Sequence, residues 1–142
     1  MTALNSYLSF NGNCEEAFTF YRSVLGGEFS QKKRFKDMPF EHPVPAKEGE
    51  KIMHIELQLG PDTLLMGCDV PSTMGAVNFG NNFHISIDTQ SEKEAGKLFN
   101  GLSAGGKVTM PLDKTFWGAL FGMFTDKFGI QWMINYDYNK NK

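Results

Sequence analysis

The chain has 142 residues, of which 41% are hydrophobic and 21% charged, and its formal net charge is -2. This composition excludes a disordered chain and predicts one compact domain or two small modules that share a core. The net charge shows no excess of basic residues of the kind that binds DNA or RNA. No apolar run reaches the roughly 18 residues needed to span a bilayer. With two cysteines and a first segment unlike a secretory signal, we expect a cytoplasmic protein.

Two segments of the chain share a pattern that indicates an internal duplication. Residues 20–28 correspond to residues 99–107, and in each a Phe is followed six positions later by a Gly-Gly pair. The same spacing, carried backward, places residues 5–9 over residues 84–88. Both of these stretches are predicted to be strands that lead into a helix.

The two helices are predicted from capping signals and apolar spacing. The first covers residues 14–25 with Asn13 as its N-cap, and the second begins after Ser91 as its N-cap. In both, Glu residues occupy the first turn and a Gly-Gly pair follows the last turn. Apolar residues at i, i+3 and i+4 spacing are expected to face inward, namely Ala17, Phe18, Phe20, Tyr21 and Val24, then Ala95, Leu98, Phe99 and Leu102.

Three extended segments follow each predicted helix and complete a strand, helix, three-strand unit. Strand propensity and turn residues place them at 28–35, 52–59 and 63–68, then at 107–111, 119–125 and 130–136.

This order predicts an α+β fold made of two βαβββ modules within one compact domain. The first module is expected over residues 1–70 and the second over residues 83–142, with a linker at 71–82. Segment 37–50 holds three prolines and mixed charges, and we expect it to form a loop over a pocket, with His42 solvated.

Alternation along the strands predicts one apolar and one polar face on each sheet. The apolar faces should pack on the helices and consist of Leu8, Phe10, Met53, Ile55, Leu57, Leu59, Phe83, Ile85, Ile87, Ile130, Trp132 and Ile134. The opposite faces carry polar side chains with few Lys or Glu, which suits a small-molecule pocket. A plain solvated face is the alternative, because antiparallel sheets commonly have one.

The doubled unit resembles the vicinal oxygen chelate superfamily, which includes glyoxalase I, bleomycin-resistance proteins and extradiol dioxygenases. More narrowly, the runs YLSF at 7–10, LGG at 25–27, FWG at 116–118 and QWMIN at 131–135 resemble the PhnB-like branch. The resemblance covers essentially the whole chain. It implies two modules whose sheets join edge to edge as an open, cupped mixed β-sheet barrel, and it implies a homodimer.

The resemblance also implies where metal ligands would lie. In the metal-dependent relatives they come from the first and last strands of each module, and the matching positions here are Asn5, Met66, His84 and Met133. Thioethers suit Cu(I) better than a catalytic divalent ion. We therefore expect no cofactor; a divalent metal is the alternative, and His84 is then its best ligand.

His54 and Glu56 lie two residues apart on one strand face and are the candidate catalytic residues. As a hydrogen-bonded pair they would act as general base and orienting acid without a metal. Together with His84 they would supply two imidazoles and a carboxylate, the ligand set of a metal-dependent glyoxalase- or dioxygenase-type lyase or oxidoreductase. A purely structural pair is the third interpretation.

We predict a PhnB-like protein that binds an unidentified small molecule in the sheet cavity, without the usual catalytic divalent metal. Whether the ligand is turned over stays open, and neither a nucleic acid nor a membrane is expected as a partner. The residues expected to line the pocket are Asn5, Tyr7, Met66, Cys68, His84, Trp117, Gln131 and Met133.

Overall fold

The computed structural model describes residues 2–37 and 46–139. The loop predicted at 37–50 therefore falls partly outside the described residues, and so does His42. Its described part contains a 3-10 turn at Phe35–Asp37 and a short helix at Ala46–Gly49. The chain divides into two compact units, with the boundary between Asn78 and Phe79.

The first module is a four-stranded mixed sheet with one long helix. Its strands are in the order β1-β4-β3-β2; β1 runs parallel to β4, and the other neighbours are antiparallel. Its elements are β1 (Ser6–Phe10), α1 (Cys14–Leu25), β2 (Glu28–Arg34), α2 (Ala46–Gly49), β3 (Ile52–Gly60) and β4 (Thr63–Asp69).

The second module repeats this arrangement, with strand order β5-β8-β7-β6 and β5 parallel to β8. Neither sheet closes on itself, and the prediction of an α+β fold with two βαβββ modules is confirmed. No helix in the described ranges is long and apolar enough to cross a membrane. The elements of this module are β5 (Ile85–Asp88), α3 (Glu92–Ser103), β6 (Lys107–Lys114), β7 (Ala119–Thr125) and β8 (Gln131–Asp137).

Each module buries one sheet face under its long helix. In the first, the rings of Phe10, Phe18 and Tyr21 pack edge to face, with centroids 5.6 to 6.2 Å apart. In the second, Phe99 of α3 meets Phe124 of β7 at 5.1 Å and 84°. The predicted inward residues of α3 are all buried, whereas Phe20 and Val24 of α1 are half-buried.

Asn13 occupies the N-cap position of α1, as predicted, but the side-chain acceptor for the first turn comes from a distant strand. The Asn13 side chain makes no capping hydrogen bond. Instead Asp69, at the end of β4 and 2% exposed, accepts hydrogen bonds from the amides of Gly12 and Cys14 through Oδ1, each at 2.9 Å. Its Oδ2 accepts from the Ile52 amide at 2.9 Å. A carboxylate suits a helix N-terminus because it complements the helix dipole.

The N-cap of α3 is Ser91, as predicted, and its Oγ accepts from the Glu94 amide at 3.1 Å. The Glu94 carboxylate in turn accepts from the Gln90 amide at 2.9 Å. Reciprocal contacts of this kind satisfy backbone donors that the first turn leaves without helical partners.

Two predicted face assignments are wrong. A register shift in the β2–β3 pairing skips Met53, so that Ile52 is fully buried and Met53 is only half-buried. Phe83 was expected to face the core but is 60% exposed, because β5 begins only at Ile85. Alternation holds only inside a strand with unbroken register, which explains both errors.

Candidate functional site

A chain of side-chain hydrogen bonds crosses the polar face of the first-module sheet. His54 lies at its centre, with Nε2 2.8 Å from Glu56 Oε2 and Nδ1 3.3 Å from the Tyr7 hydroxyl. Ser30 extends the chain, because its Oγ donates to Glu56 Oε1 at 3.1 Å. Strands β1, β2 and β3 each supply a member of this polar chain, which we define as Ser30, Glu56, His54 and Tyr7.

Strand register brings these residues together. Tyr7 is paired with Met66, Met66 with Glu56, and Glu56 with Gln31, so one row crosses all four strands. Side chains of directly paired residues share a face. Since β4 lies between β1 and β3, Tyr7 reaches His54 across β4, over the side where Met66 stands.

Glu56 is ionised at neutral pH. The hydrogen bond from His54 lowers its pKa most; burial opposes this, and the Ser30 hydroxyl and the Lys33 charge also lower the pKa. A carboxylate only accepts hydrogen bonds, so the contact with Nε2 requires a proton on that nitrogen. In the neutral ring Nδ1 is then an unprotonated acceptor, and the Tyr7 hydroxyl donates to it.

Tyr7 remains a neutral donor over the whole physiological range. Burial, followed by the hydrogen bond and charge of Cys68, raises the pKa of Tyr7 to about 12. The residue is nevertheless 48% exposed, while the side chains of His54 and Glu56 are 21% and 16% exposed. The polar chain is therefore mostly buried at His54 and Glu56, and it can be reached from solvent at Tyr7.

The polar chain offers few donors for a metal. Within residues 2–37 and 46–139, no three His, Cys, Asp or Glu side chains lie close enough together to hold an ion. His54 and Glu56 are one imidazole and one carboxylate, fewer than the three protein ligands of a catalytic zinc or facial iron site. An ion bound between them would also replace the proton that joins them.

Of the predicted pocket residues in the first module, Tyr7, Met66 and Cys68 lie with His54 and Glu56 on this face. Met66 and Cys68 are half-buried, and Cys68 contacts the Tyr7 hydroxyl. Asn5 lies just before β1, is exposed, and is not part of the polar chain.

The second module holds the remaining predicted residues. His84 precedes β5 and is half-buried, and Met133 is paired with Ser86. The Gln131 amide donates to the Phe83 carbonyl at 2.6 Å. Trp117 lies in the turn between β6 and β7, 56% exposed.

Sequence reasoning missed Ser30 and Lys33. In the β2–β3 pairing, Phe29 faces Leu57 and Gln31 faces Glu56, so Ser30 is the extra residue of a bulge. Bulges redirect side chains, and this one allows the Ser30 hydroxyl to reach Glu56. The contact depends on the register between β2 and β3. The mixed charged residues of β2 show no alternation from which this register could be predicted.

Two open depressions on the first module lie apart from the polar chain. One, of about 250 Å³, is lined by Asn11, Lys51, Val70, Ser72, Gly75 and Ala76. The other, of about 590 Å³, lies at the end of α1 and includes Arg22 and Phe29. Neither contains a residue of the polar chain, so the candidate site rests on its chemistry and exposure rather than on depth.

The sequence and the fold can be compared with those of known proteins. Residues 3–134 match the sequence profile of the glyoxalase/bleomycin resistance protein/dioxygenase superfamily. The chain belongs to this superfamily. The resemblance inferred from the repeated unit is thereby confirmed over nearly the whole chain.

Three proteins are similar to this chain over nearly their full lengths. The crystal structure of protein PA1353 from Pseudomonas aeruginosa is 42% identical, with a TM-score of 0.85, and the match covers 96% of this chain and 98% of that one. The PhnB protein from Bacillus cereus is 25% identical, with a TM-score of 0.75, covering 95% and 99%. Protein YjdN from Escherichia coli is 34% identical over 140 residues, 93% of each chain. The chain thus has PhnB-like neighbours, as its sequence runs predicted.

Proposed function

We propose that the polar face of the first module binds a small organic molecule and does so without a resident divalent metal. The observation that carries this proposal is the polar chain, in which Tyr7, His54, Glu56 and Ser30 are joined by hydrogen bonds on a part-exposed sheet face. A merely solvated face gains little from such a chain, because water would satisfy each group separately. A few ordered polar groups beside apolar side chains are typical of ligand sites.

The surroundings of the polar chain point to a ligand with both polar and apolar parts. The Tyr7 hydroxyl oxygen, which donates its proton to His54, can still accept a hydrogen bond from a ligand, while the Met66 thioether and the Tyr7 ring offer apolar contact. The Lys33 charge near Glu56 favours a ligand with an acidic group.

The binding proposal is tested by titrating ¹⁵N-labelled protein with a library of small carboxylic acids, phenols and alcohols. We expect ligands whose amide shift changes cluster on β1, β3 and β4, and we expect His54→Gln to weaken their binding. Glu28→Gln is the matched control, since Glu28 is an exposed carboxylate outside the polar chain. Shift changes that cluster elsewhere, or that His54→Gln leaves intact, would contradict the proposal.

The metal-free part of the proposal is tested by elemental analysis of protein purified without a metal-affinity tag. We expect far less than one equivalent of Fe, Mn, Ni or Zn per chain. A near-equimolar metal that is lost in His84→Ala would overturn the proposal and favour the metal-dependent lyase or oxidoreductase.

A second candidate function is metal-free acid–base catalysis. It is favoured by one observation: Glu56 holds the proton on Nε2 of His54, which leaves Nδ1 as the acceptor on the side of Tyr7. This arrangement orients a general base. If a ligand identified by the amide titration is turned over, Glu56→Gln should lower kcat at least about tenfold. Chelators should have no effect on this activity. Loss of activity on chelation would contradict this candidate.

A further inference from the structure

The second-module sheet carries three methionines in one cross-strand row. Met133 on β8 is paired with Met123 on β7, and Met123 is paired with Met110 on β6. Directly paired residues point to the same face, so the pairing places the three side chains on one face, although the β6–β7 register shifts on both sides of Met110. Met110 is 42% exposed, and the other two are half-buried. We call Met110, Met123 and Met133 the methionine row.

The backbone under Met123 and Met133, the two inner members of the methionine row, is held by buried neighbours. Met133 lies between Trp132 and Ile134, both buried, and Met123 is followed by Phe124, which is fully buried. Directly opposed side chains have Cβ atoms about 4.5–5.5 Å apart, and a methionine has three rotatable side-chain bonds. Three sulfur atoms on neighbouring strands can therefore converge on one point above Met123, the central member.

Charged side chains lie near the methionine row but are not part of it: Lys107 is paired with Thr125, Asp113 with Phe121 and Asp88 with Asn135, and each of these partners is two residues along its strand from Met123 or Met133. On the same face, Ser86 is paired with Met133, Thr125 with Gln131, and Phe121 with Asn135. Hard divalent ions require oxygen or imidazole donors with compensating negative charge, and the three side chains of the row themselves offer only sulfur. Thioether sulfur is a soft donor that selects monovalent d¹⁰ ions such as Cu(I).

We propose that Met110, Met123 and Met133 form a binding site for a soft monovalent metal ion, Cu(I) or its analogue Ag(I). The site lies on the second module and does not depend on the small-molecule function proposed for the first. Its donors are three neutral sulfur atoms, and no carboxylate is among them.

The site is tested with Ag(I), which needs no reductant, on protein labelled with ¹³C at its methionine methyl groups. The chain has eight methionines and two cysteines. Cys68→Ser serves as the background, because this half-buried thiol would compete for silver, whereas Cys14 is fully buried. We expect the methyl signals of the methionine row to shift together and to saturate near one equivalent of Ag(I).

Met123→Leu removes the central sulfur at nearly constant volume and should weaken silver binding by roughly tenfold or more. Met110→Leu, on the exposed edge strand, should act in the same direction without disturbing the core. Met74→Leu is the control, since Met74 is 75% exposed and lies outside the methionine row. An unchanged affinity for Ag(I) in both Met123→Leu and Met110→Leu would overturn the proposal. Methyl shifts that depend only on the exposure of each methionine, and are equally large at Met74, would also overturn it.

Discussion

At the scale of single residues, two buried or half-buried carboxylates hold distant parts of the first module in register. Asp69 joins the end of β4 to the start of α1 and the start of β3. Glu56 fixes the ring of His54 on the polar face. Both act through hydrogen bonds that only an acceptor can make.

The tautomer of His54 follows from its contact with Glu56. In the neutral ring we expect the proton on Nε2, and Glu56→Ala should remove this preference. Long-range ¹H–¹⁵N spectra of the imidazole distinguish the two tautomers. Ser30→Ala is the control, since it leaves the carboxylate in place, and a proton on Nδ1 in the unaltered protein would contradict the assignment.

Replacing Asp69 should be far more damaging than replacing the nominal cap residue. Asp69→Ala leaves three backbone amides without their acceptor, two of these contacts being buried, and should lower the free energy of unfolding by about 3 kcal/mol. Asn13→Ala should change it by less than about 0.5 kcal/mol. Urea unfolding measures both, and similar values would show that Asp69 does not cap α1.

At the scale of elements, α1 is tied to the edge strand β2 by ion pairs and to β4 by close packing. Glu15 on α1 receives both guanidinium nitrogens of Arg34, at 3.0 and 2.6 Å, and the Lys32 ammonium at 2.5 Å. Gly67 on β4 lies so close to α1 that a Cβ there would stand 2.7 Å from the Phe18 ring.

The Glu15 contacts predict a defined pH dependence of stability. Hydrogen bonds from Arg34 and then Lys32 lower the pKa of Glu15 from 4.5 to about 2. Because the folded value is the lower one, this stabilisation is complete above about pH 4.5 and is lost as the pH falls towards 2. At neutral pH, Glu15→Gln should cost about 1 kcal/mol, a modest figure because the pair is partly exposed to solvent.

Urea midpoints at a series of pH values measure this dependence. The difference between the unaltered protein and Glu15→Gln should shrink as the pH falls from about 4.5 to 2. Glu16→Gln is the control, being the neighbouring exposed carboxylate of the same helix turn. A difference that does not vary with pH would show that the ion pairs do not stabilise the fold.

Two glycines of the second module should respond to alanine with opposite signs. At Gly122 of β7 a Cβ would lie 2.6 Å from the Phe99 ring and 2.9 Å from the Leu112 backbone, so Gly122→Ala should destabilise by about 1–3 kcal/mol. At Gly96 within α3 nothing lies within 4 Å, so Gly96→Ala should stabilise by about 0.5–1 kcal/mol. Thermal unfolding of both variants measures these changes in stability. A change of the same sign in both variants would contradict the packing described.

At the scale of the whole molecule, we propose that the chain forms a homodimer. Strand β6 is an edge strand, and its residues are exposed except for the half-buried Leu112. Exposed edges with free backbone groups are usually covered in stable proteins. Light scattering should give twice the mass of one chain, and Val108→Lys on β6 should favour the single chain. A monomer across the micromolar range would contradict the proposal.

Most of the fold could be predicted from the sequence, because its signals are local. The spacing of Phe18 and Tyr21, the Ser91 cap and the alternation in β8 each depend on residues a few positions apart. The cap by Asp69 and the bulge at Ser30 could not be predicted, since they depend on strand register. For the candidate site, alternation placed Tyr7, His54 and Glu56 on one face, but their hydrogen bonds across β4 required the strand order.

The parallel pairing of the first and last strands has a consequence for synthesis on the ribosome. Among the strands that the structure describes, the opening strand of each module pairs with one other, the strand made last: β1 pairs with β4, and β5 pairs with β8. A nascent first module therefore keeps its opening strand without a neighbour until residue 69 has left the exit tunnel. The pairing of β1 with β4 then completes this sheet in one late step, while the second half of the polypeptide is still being made.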